Sequence, residues 1–552
     1  MLRFFLFLSI TAYLLPALPA QTPSISASKQ KALDSVALQD VPPGAPGIAT
    51  AIVDNGVVTY RKTGGFANLD DSSLITMDSR FNIASNGKQF TALAILLLAD
   101  RSKIRLTDDI RKYLPGLYPG VTEKITIENL VTHTSGIRDV YDLWSLQGLT
   151  WWQHSFSNKD VFDLVAKQQD LNFRPGSSFL YSNTNYILLA MLIEKVSGMS
   201  FVAYTNGIFH QLGMPNSSFE NDYTAIRGPV ARAYFNFGTW TTYNWIWNVC
   251  GDGNIFSSLK DQVQWEQLLQ GYGNTEIPRA ILDKSQRLTG QSSARNYGYG
   301  LETGDYKRLP YRFHEGATGA WKATVVRFPE KKVSMLTLTN TGKSTPDRQT
   351  RQMADIYFDL PADAGKFPIK PLKAGIYVSE EDVEGIYMTP ANFTFQFEKR
   401  DSVLYLKRAG RNDILLEREA ANIFHQAFDP DFKQEFVRNE KGELEVTAYY
   451  TSHAPYTLSQ VKSNWTGFDP GRLNGTYLNS ETGVTITISL SGGRNYDVKI
   501  GDQDSTKGLM VSPTKLLVDN YVLEFDGKNG PERTFLLSAN RIKKVMFLRM
   551  KE

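Results

Sequence analysis

The sequence predicts an α/β (α+β) fold in which helices flank one antiparallel sheet, with a separate all-β region after it. Three observations support this prediction. Strand pairs lie near residues 48–66 and 323–338, helical patterns fill the stretch between them, and short strands dominate after Tyr357. At 552 residues, the chain is long enough for about two to four domains.

Both strand pairs are predicted to be hairpins. The first joins Ile48–Val53 to Val57–Arg61 through Asp54-Asn55-Gly56, and Asn-Gly is a strong turn signal. The second joins residues 323–328 to 333–338 through a Pro-Glu-Lys-Lys turn. Apolar spacing predicts helices over residues 88–101, 126–132, 159–168, 185–197 and 259–270. Strands at both ends with helices between them favour a single sheet.

The last third of the chain contains a weak internal repeat. Gly385-Ile386-Tyr387 recurs as Gly475-Thr476-Tyr477, and alternating strands follow each copy. Regularly spaced short strands are typical of sandwiches or small barrels. Two units are therefore predicted, with a boundary at Asp469-Pro470-Gly471. A single larger β domain is the alternative.

The first twenty residues differ from the rest. Arg3 precedes a short apolar run that ends in small residues, which is typical of a secretory signal peptide cleaved after Ala20. An uncleaved N-terminal anchor is the alternative. No other segment is long and apolar enough to predict a membrane span. Cys250 is the single cysteine, so an internal disulfide is excluded, and the bacterial periplasm or exterior is the expected location.

Composition narrows the function classes. The chain is 42% hydrophobic and 21% charged, with a net charge of +3. No block of like charge predicts a nucleic-acid surface. The six histidines show no ligand spacing, so neither a metal nor another cofactor is predicted.

Ser85 and Lys88 open a long apolar helix. Residues three apart lie on one helix face, and burial of an amine favours its neutral form, so this spacing can give a serine its own base. A serine that merely caps the helix is the alternative. The Ser-x-x-Lys spacing also starts at Ser26, Ser28, Ser257, Ser459 and Ser512, none of which opens an apolar helix.

Two later segments carry further candidate groups. Tyr181-Ser182-Asn183 precedes an apolar helix; the tyrosine can shuttle a proton and the amide can hold a peptide bond. A capping turn with a buried aromatic ring is the alternative. His314-Glu315-Gly316 precedes a strand whose backbone N–H groups can bind an oxyanion.

In order and separation, these segments resemble the penicillin-recognising serine hydrolases. That family includes class C β-lactamases, D-Ala-D-Ala carboxypeptidases, related esterases and D-aminopeptidases. The resemblance covers about residues 30–358 and includes Leu130–Ile137 (Leu-Val-Thr-His-Thr-Ser-Gly-Ile). It implies a β-lactamase/transpeptidase-like domain with Ser85 as the acylated nucleophile, Lys88 as its base and Tyr181 as the proton carrier.

The resemblance also implies the binding groups. Asn183 matches a ligand of the substrate amide, and Gly316 keeps its strand open. The oxyanion hole is expected to use the backbone N–H groups of Ser85 and Ala317. His314 replaces the lysine that helps hold a substrate carboxylate, which favours a peptidase or esterase over a β-lactamase.

The C-terminal region resembles the two small β-barrels of D-aminopeptidases, in which a loop of the last barrel reaches the active site. This implies that Asp502 or Asp504 contacts a substrate ammonium. The predicted division is a signal peptide (1–20), a hydrolase domain (21–358), a linker (359–374) and two β-barrel-like domains (375–467 and 468–552).

The sequence therefore predicts a secreted or periplasmic serine hydrolase that acts on small peptides, amides or esters. The expected class is a D-amino-acid peptidase or an esterase. A β-lactamase or a penicillin-binding protein that is mainly acylated is one alternative. A non-catalytic protein that binds cell wall or another ligand is the second. The expected partner is a small-molecule or short-peptide substrate, and the oligomeric state is left open.

Overall fold

The structure, a computed structural model, describes residues 25–289, 296–361, 375–408, 412–450, 455–462, 469–526 and 532–551. The predicted signal peptide lies outside the described residues. So do residues 362–374 of the predicted linker.

A six-stranded antiparallel sheet forms the centre of the first domain, as predicted. Both expected hairpins are present, and Ile48 pairs with Thr339, which joins the two ends of the domain. In sheet order, the strands are Glu302–Tyr306, Leu309–Thr318, Trp321–Phe328, Val333–Thr339, Ile48–Asp54 and Val57–Gly64.

Helices cover both faces of this sheet because side chains alternate along each strand. Ile48 and Ile52 pack with Leu33 and Met353 on one face. Ala49, between them, belongs to the larger core on the other face. The α-helices of this domain are Ala27–Leu38, Lys88–Asp100, Ile127–Val131, Val140–Leu146, Asn158–Val165, Asn183–Ser197, Phe201–Gln211, Leu259–Leu269, Arg279–Ser285 and Pro346–Tyr357.

Short elements complete the first domain. The strands Arg80–Asn82 and Ser218–Phe219 flank Ile255–Ser258 in a small sheet beside the nucleophile segment. The other short strands are Phe66–Asn68, Ser73–Leu74, Phe235–Asn236 and Trp240–Thr241, and the 3-10 helices are Ala84–Gly87, Ile110–Lys112, Tyr223–Ala225 and Pro329–Lys331.

Two closed antiparallel barrels of eight strands follow, so the two-unit prediction is confirmed. The helix Glu380–Val383 precedes the first barrel, and the 3-10 helix Pro470–Leu473 precedes the second. The first contains Gly385–Met388, Thr394–Arg400, Val403–Leu406, Ile414–Ala420, Ile423–Gln426, Asp429–Arg438, Leu444–Tyr449 and Tyr456–Gln460. The second contains Gly475–Leu478, Thr485–Gly492, Asn495–Ile500, Thr506–Ser512, Lys515–Val518, Tyr521–Phe525, Thr534–Ser538 and Val545–Arg549.

The second barrel packs directly on the hydrolase domain. Its interior residues, such as Tyr477 and Phe547, belong to the same continuous apolar core as the helix Lys88–Asp100. The first barrel has a separate core around Tyr387 and Phe436. The second barrel is therefore the one positioned to influence the candidate site.

Among the described residues, no single helix combines the length and hydropathy needed to cross a membrane. Asn183–Ser197 and Phe201–Gln211 meet that requirement only as a pair bent by 87°.

Candidate active site

Ser85 lies on a tight turn at the start of the buried helix. Ala84 before it adopts φ +48°, a left-handed conformation, and the Asn82 side chain accepts a hydrogen bond from the Ala84 N–H at 3.0 Å. Neither the turn nor the helix has a side-chain cap. The structure thus disfavours the capping alternative and leaves the Ser85 hydroxyl free to face the site.

Lys88 is fully buried beneath Ser85. Its Nζ donates to Ser85 Oγ at 2.9 Å, to Asn183 Oδ1 at 3.0 Å and to the Asp252 backbone oxygen at 2.5 Å. These three acceptors fix the amine in position. The predicted base is therefore in direct contact with the predicted nucleophile.

Tyr181 approaches Ser85 from the opposite side. Its hydroxyl donates to Ser85 Oγ at 3.1 Å, and Lys88 Nζ lies 5.0 Å from its ring centroid. The ring also packs on buried His133, with centroids 4.2 Å apart. Ser85 Oγ thus lies between a hydroxyl and an amine, an arrangement suited to moving its proton.

Asn183 begins the next helix and is oriented by Asp139. The fully buried carboxylate of Asp139 accepts from the Asn183 backbone N–H at 2.7 Å and from Asn183 Nδ2 at 3.0 Å. Asn183 Oδ1 is thereby directed at Lys88. One Nδ2 hydrogen remains for the predicted substrate amide contact.

Gly316 brings the edge of the main sheet against the nucleophile turn. A Cβ atom at this position would lie 2.2 Å from the Ile83 carbonyl oxygen and 3.1 Å from the Ser85 nitrogen, so a side chain does not fit. Ala317 follows it and is exposed. The two expected oxyanion donors, at Ser85 and Ala317, are thus on adjoining segments.

His314 is buried and uses both ring nitrogens inside the protein. Its Nδ1 lies 2.7 Å from the Glu315 carbonyl oxygen, so Nδ1 carries the proton and Nε2 accepts from the Tyr297 hydroxyl at 3.1 Å. Burial, aided by the charge of Lys88, lowers the pKa of His314 to about 3. The ring is neutral at physiological pH and offers no cation to a substrate.

Asp502 and Asp504 are exposed on the barrel and do not join the cluster around Ser85. Their loop reaches the hydrolase domain through Gln503, whose Nε2 lies 3.5 Å from the Leu146 carbonyl oxygen. A different loop of the second barrel reaches the site: the Arg541 guanidinium carbon lies 5.0 Å from the Tyr181 ring centroid.

Aromatic side chains near the site divide into two groups. Trp144 stacks on Phe156 at 3.9 Å and is core. Trp151 and Trp245 instead lie beside Gly319, in the turn that follows Ala317. Exposed aromatic side chains extend this wall at Trp152, Phe237 and Tyr243.

Three residues of the site were not predicted from the sequence: Asp139, Arg541 and Asp252. Asp139 and Arg541 carried no local signal, because their roles depend on partners far along the chain. Asp252 lies just before the strand Ile255–Ser258 and was not among the predicted site residues. Its buried carboxyl, whose pKa is raised by burial, accepts from the Tyr141 hydroxyl at 2.7 Å.

No cluster of His, Cys, Asp and Glu side chains with metal-site geometry occurs in the described ranges. The arrangement can support serine-based acyl transfer: a nucleophile, two proton carriers and backbone donors beside an open surface.

Comparison with known proteins agrees with this chemistry. The family model described as Beta-lactamase matches residues 37–358. Penicillin-binding protein 4* of Bacillus subtilis is 26% identical over 383 residues, which cover 65% of this chain and 83% of that protein. A D-aminopeptidase of Brucella canis is 28% identical over 339 residues. That match covers 60% of this chain and 61%, less than two thirds, of the relative.

The fold also matches a solved structure. The octameric penicillin-binding protein homologue from Pyrococcus abyssi superposes with a TM-score of 0.55 and 23% identity. The match covers 79% of this chain and all of that one, so the likeness extends beyond the hydrolase domain.

Proposed function

Because this chain belongs to the beta-lactamase family of serine hydrolases, we propose that it hydrolyses small peptides, amides or esters through an acyl-enzyme on Ser85. We further propose that its substrates are of the D-amino-acid peptidase or esterase type. The observation that carries the proposal is the pair of hydrogen bonds from Lys88 and Tyr181 to Ser85 Oγ.

The same groups act in both halves of the reaction, acylation of Ser85 and hydrolysis of the resulting ester. Ser85 Oγ attacks the substrate carbonyl carbon while its proton passes to Lys88 or Tyr181. The backbone N–H groups of Ser85 and Ala317 stabilise the oxyanion. The bond to the leaving group then breaks, and the leaving nitrogen or oxygen takes the proton. Water attacks the Ser85 ester, gives up a proton through the same groups, and releases the acid.

Two features favour the peptidase or esterase class. Neutral His314 means that the strand carrying it offers no cation to a substrate carboxylate, unlike the lysine that the family resemblance places there. The aromatic wall around Trp151 and Trp245 favours an apolar group on the substrate. Similarity to the D-aminopeptidase of Brucella canis supports the D-amino-acid class.

The decisive experiment compares the native protein with Ser85→Ala. Hydrolysis of D-alanine p-nitroanilide, p-nitrophenyl esters and nitrocefin is measured, together with the intact mass after a fluorophosphonate or fluorescent penicillin. We expect turnover of the anilide or an ester, one covalent adduct, and about a 10⁴- to 10⁶-fold loss of kcat/KM in Ser85→Ala.

A matched control is Ser512→Ala, which alters another Ser-x-x-Lys and is expected to retain full activity. Retained turnover in Ser85→Ala refutes this nucleophile. An adduct without turnover indicates a penicillin-binding protein, nitrocefin as the best substrate indicates a β-lactamase, and no adduct indicates a binding protein.

We also propose that the protein is exported and loses residues 1–20. The basic start and short apolar run of this segment support that proposal. Cell fractionation and N-terminal sequencing of the mature protein test it; a cytoplasmic protein that starts at Met1 contradicts it.

A further inference from the structure

The loop between the last two strands of the second barrel, residues 539–544, docks beside the candidate site. Its backbone makes the contacts: the Arg541 N–H donates to Asp142 at 2.7 Å, and the Arg541 carbonyl accepts from Asn172 Nδ2 at 3.1 Å. The Lys543 N–H donates to Asn172 Oδ1 at 2.7 Å. These bonds hold the loop without using the Arg541 side chain.

Buried Arg138 of the hydrolase domain strengthens the same contact. Its guanidinium donates to the carbonyl oxygens of Lys543 and Lys544 at 3.3 and 3.4 Å, and its own position is held by Gln168 at 3.1 Å. The loop is therefore held against the hydrolase domain by main-chain bonds at Arg541 and at the two lysines that follow, Lys543 and Lys544.

The Arg541 side chain lies over Tyr181 with its donors available. It is 34% exposed, and its nearest carboxylate oxygen, on Asp139, is 3.8 Å away, beyond hydrogen-bond length. Within the part of the chain that the structure describes, its guanidinium makes no hydrogen bond. A guanidinium has five N–H donors arranged to grip a carboxylate with two parallel bonds.

The charges around Arg541 explain why a cation is held there. Asp139 lies 3.8 Å from it, and Asp142, whose pKa is raised to about 6 by burial and by Asp139, binds its backbone. The Tyr181 ring supplies a cation–π surface. Asp139 is itself fully buried and already accepts two bonds from Asn183, so the outer face of Arg541 is open to an anion.

We propose that Arg541 is a specificity-determining residue that holds a free carboxylate on the substrate's leaving group. The assignment of Arg541 rests on the proposed function and adds to it the kind of leaving group that the enzyme prefers. Tyr181 links the two groups: its ring faces Arg541 and its hydroxyl faces Ser85 Oγ, the side from which a departing group is protonated. The second barrel thus supplies the positive charge that neutral His314 cannot.

Two esters with one acyl group test this directly: the N-acetyl-D-alanyl esters of 3-hydroxybenzoate and 3-hydroxybenzamide. Both give the same acyl-enzyme, so the ratio of their kcat/KM values, each divided by the rate constant for alkaline hydrolysis of that ester, reports leaving-group recognition. We expect the native enzyme to prefer the carboxylate ester by about 10- to 100-fold. Arg541→Gln is expected to lose that preference by slowing the carboxylate ester alone, mainly through KM.

Arg541→Lys is expected to keep part of the preference, because charge remains but the two-pronged geometry is lost. Lys544→Gln removes a charge from the same loop and is the matched control; it is expected to behave as native. Thermal melts verify that each variant folds.

Equal loss on both esters in Arg541→Gln, or no preference in the native enzyme, overturns the assignment of Arg541 while leaving the hydrolase proposal intact. No hydrolysis of either ester and no adduct on Ser85 overturns both.

Discussion

The first and second barrels have the same strand order, and their first strands begin with the same contact. In each, the tyrosine of the Gly-x-Tyr repeat donates its hydroxyl to a carbonyl four residues earlier at 3.0 Å, Tyr387 to Val383 and Tyr477 to Leu473. Their surroundings differ. The second barrel shares its core with the hydrolase domain, whereas the first packs around a core of its own.

The loops show the same contrast. Three loops of the second barrel reach the hydrolase domain, through Thr482, Gln503 and Arg541. The first barrel touches that domain more lightly, as where Arg348 donates to the Phe428 carbonyl at 3.2 Å. The two similar barrels therefore have different roles. The second contributes to the site, and the first packs against the second, for example where Lys515 Nζ donates to Asn392 Oδ1 at 2.7 Å.

The largest test of this contrast replaces one arginine in each setting, buried Arg138 of the hydrolase domain and half-buried Arg418 of the first barrel. Arg138→Met leaves the carbonyls of the 539–544 loop without their donor and Glu481 without its partner, 3.5 Å away. We expect a loss of about 3–5 kcal/mol in the free energy of unfolding and a fall in kcat/KM, measured by chemical denaturation and ester hydrolysis.

Arg418→Met is the matched change in the first barrel, where Arg418 pairs with Glu380 at 2.6 Å. It is expected to lower stability while leaving kcat/KM within about twofold. An equal loss of activity in both variants contradicts the division of roles.

A second test uses pH. Burial of the docked 539–544 loop, where Lys543 Nζ donates to the Ala391 carbonyl of the first barrel at 3.2 Å, lowers the pKa of Lys543 to about 8, against 10.5 in an unfolded chain. Between pH 8 and 10.5 the unfolded state binds more protons than the native state, so the free energy of unfolding rises with pH across that window. Below pH 8 the amine is protonated in both states and adds no pH dependence. Relative to Lys543→Met, we expect a gain of about 1 kcal/mol per pH unit from pH 8 to 10.5.

The control is Lys399→Met in the first barrel, where the hydrogen bond that the lysine donates to Glu381 raises the pKa of the lysine instead. Denaturant titrations at several pH values are expected to show no such gain there. Parallel pH profiles for native protein and Lys543→Met contradict the burial of this amine at the docking surface.

The smallest expected effect comes from the repeated tyrosines. Tyr387→Phe and Tyr477→Phe each remove the buried hydrogen bond to the carbonyl four residues earlier, at a cost of about 1 kcal/mol; Tyr477 also loses a longer contact with the Glu532 carbonyl at 3.4 Å. Thermal melts are expected to fall equally, but only Tyr477→Phe is expected to lower hydrolysis measurably. A drop in activity from Tyr387→Phe counts against the separation of the two cores.

Local chemistry made much of this molecule predictable. The hairpin around Asn55-Gly56, the helix after Ser85 and the repeat at Tyr387 and Tyr477 depend on neighbours in sequence, and each was found where it was expected. The contact of Lys88 with Ser85 follows from one helical turn.

Long-range packing could not be predicted. The similarity to D-aminopeptidases pointed to the second barrel and to its Asp502–Asp504 loop, whereas the loop that lies against Tyr181 is the one carrying Arg541. That placement depends on bonds such as Arg541 to Asp142, 399 residues apart. The lowered pKa of His314 is likewise a product of burial and of the charge of Lys88, neither of which its motif encodes.

The division of labour in the 539–544 loop has a consequence for how such an enzyme diversifies. Main-chain bonds hold the loop, and the side chain at position 541 is left to meet the substrate. Selectivity can then change through a single substitution at position 541 with little loss of folding stability. Antibodies use the same principle when they vary loop residues on a constant framework. On the assignment proposed for Arg541, the second barrel supplies selectivity while the hydrolase domain supplies the chemistry.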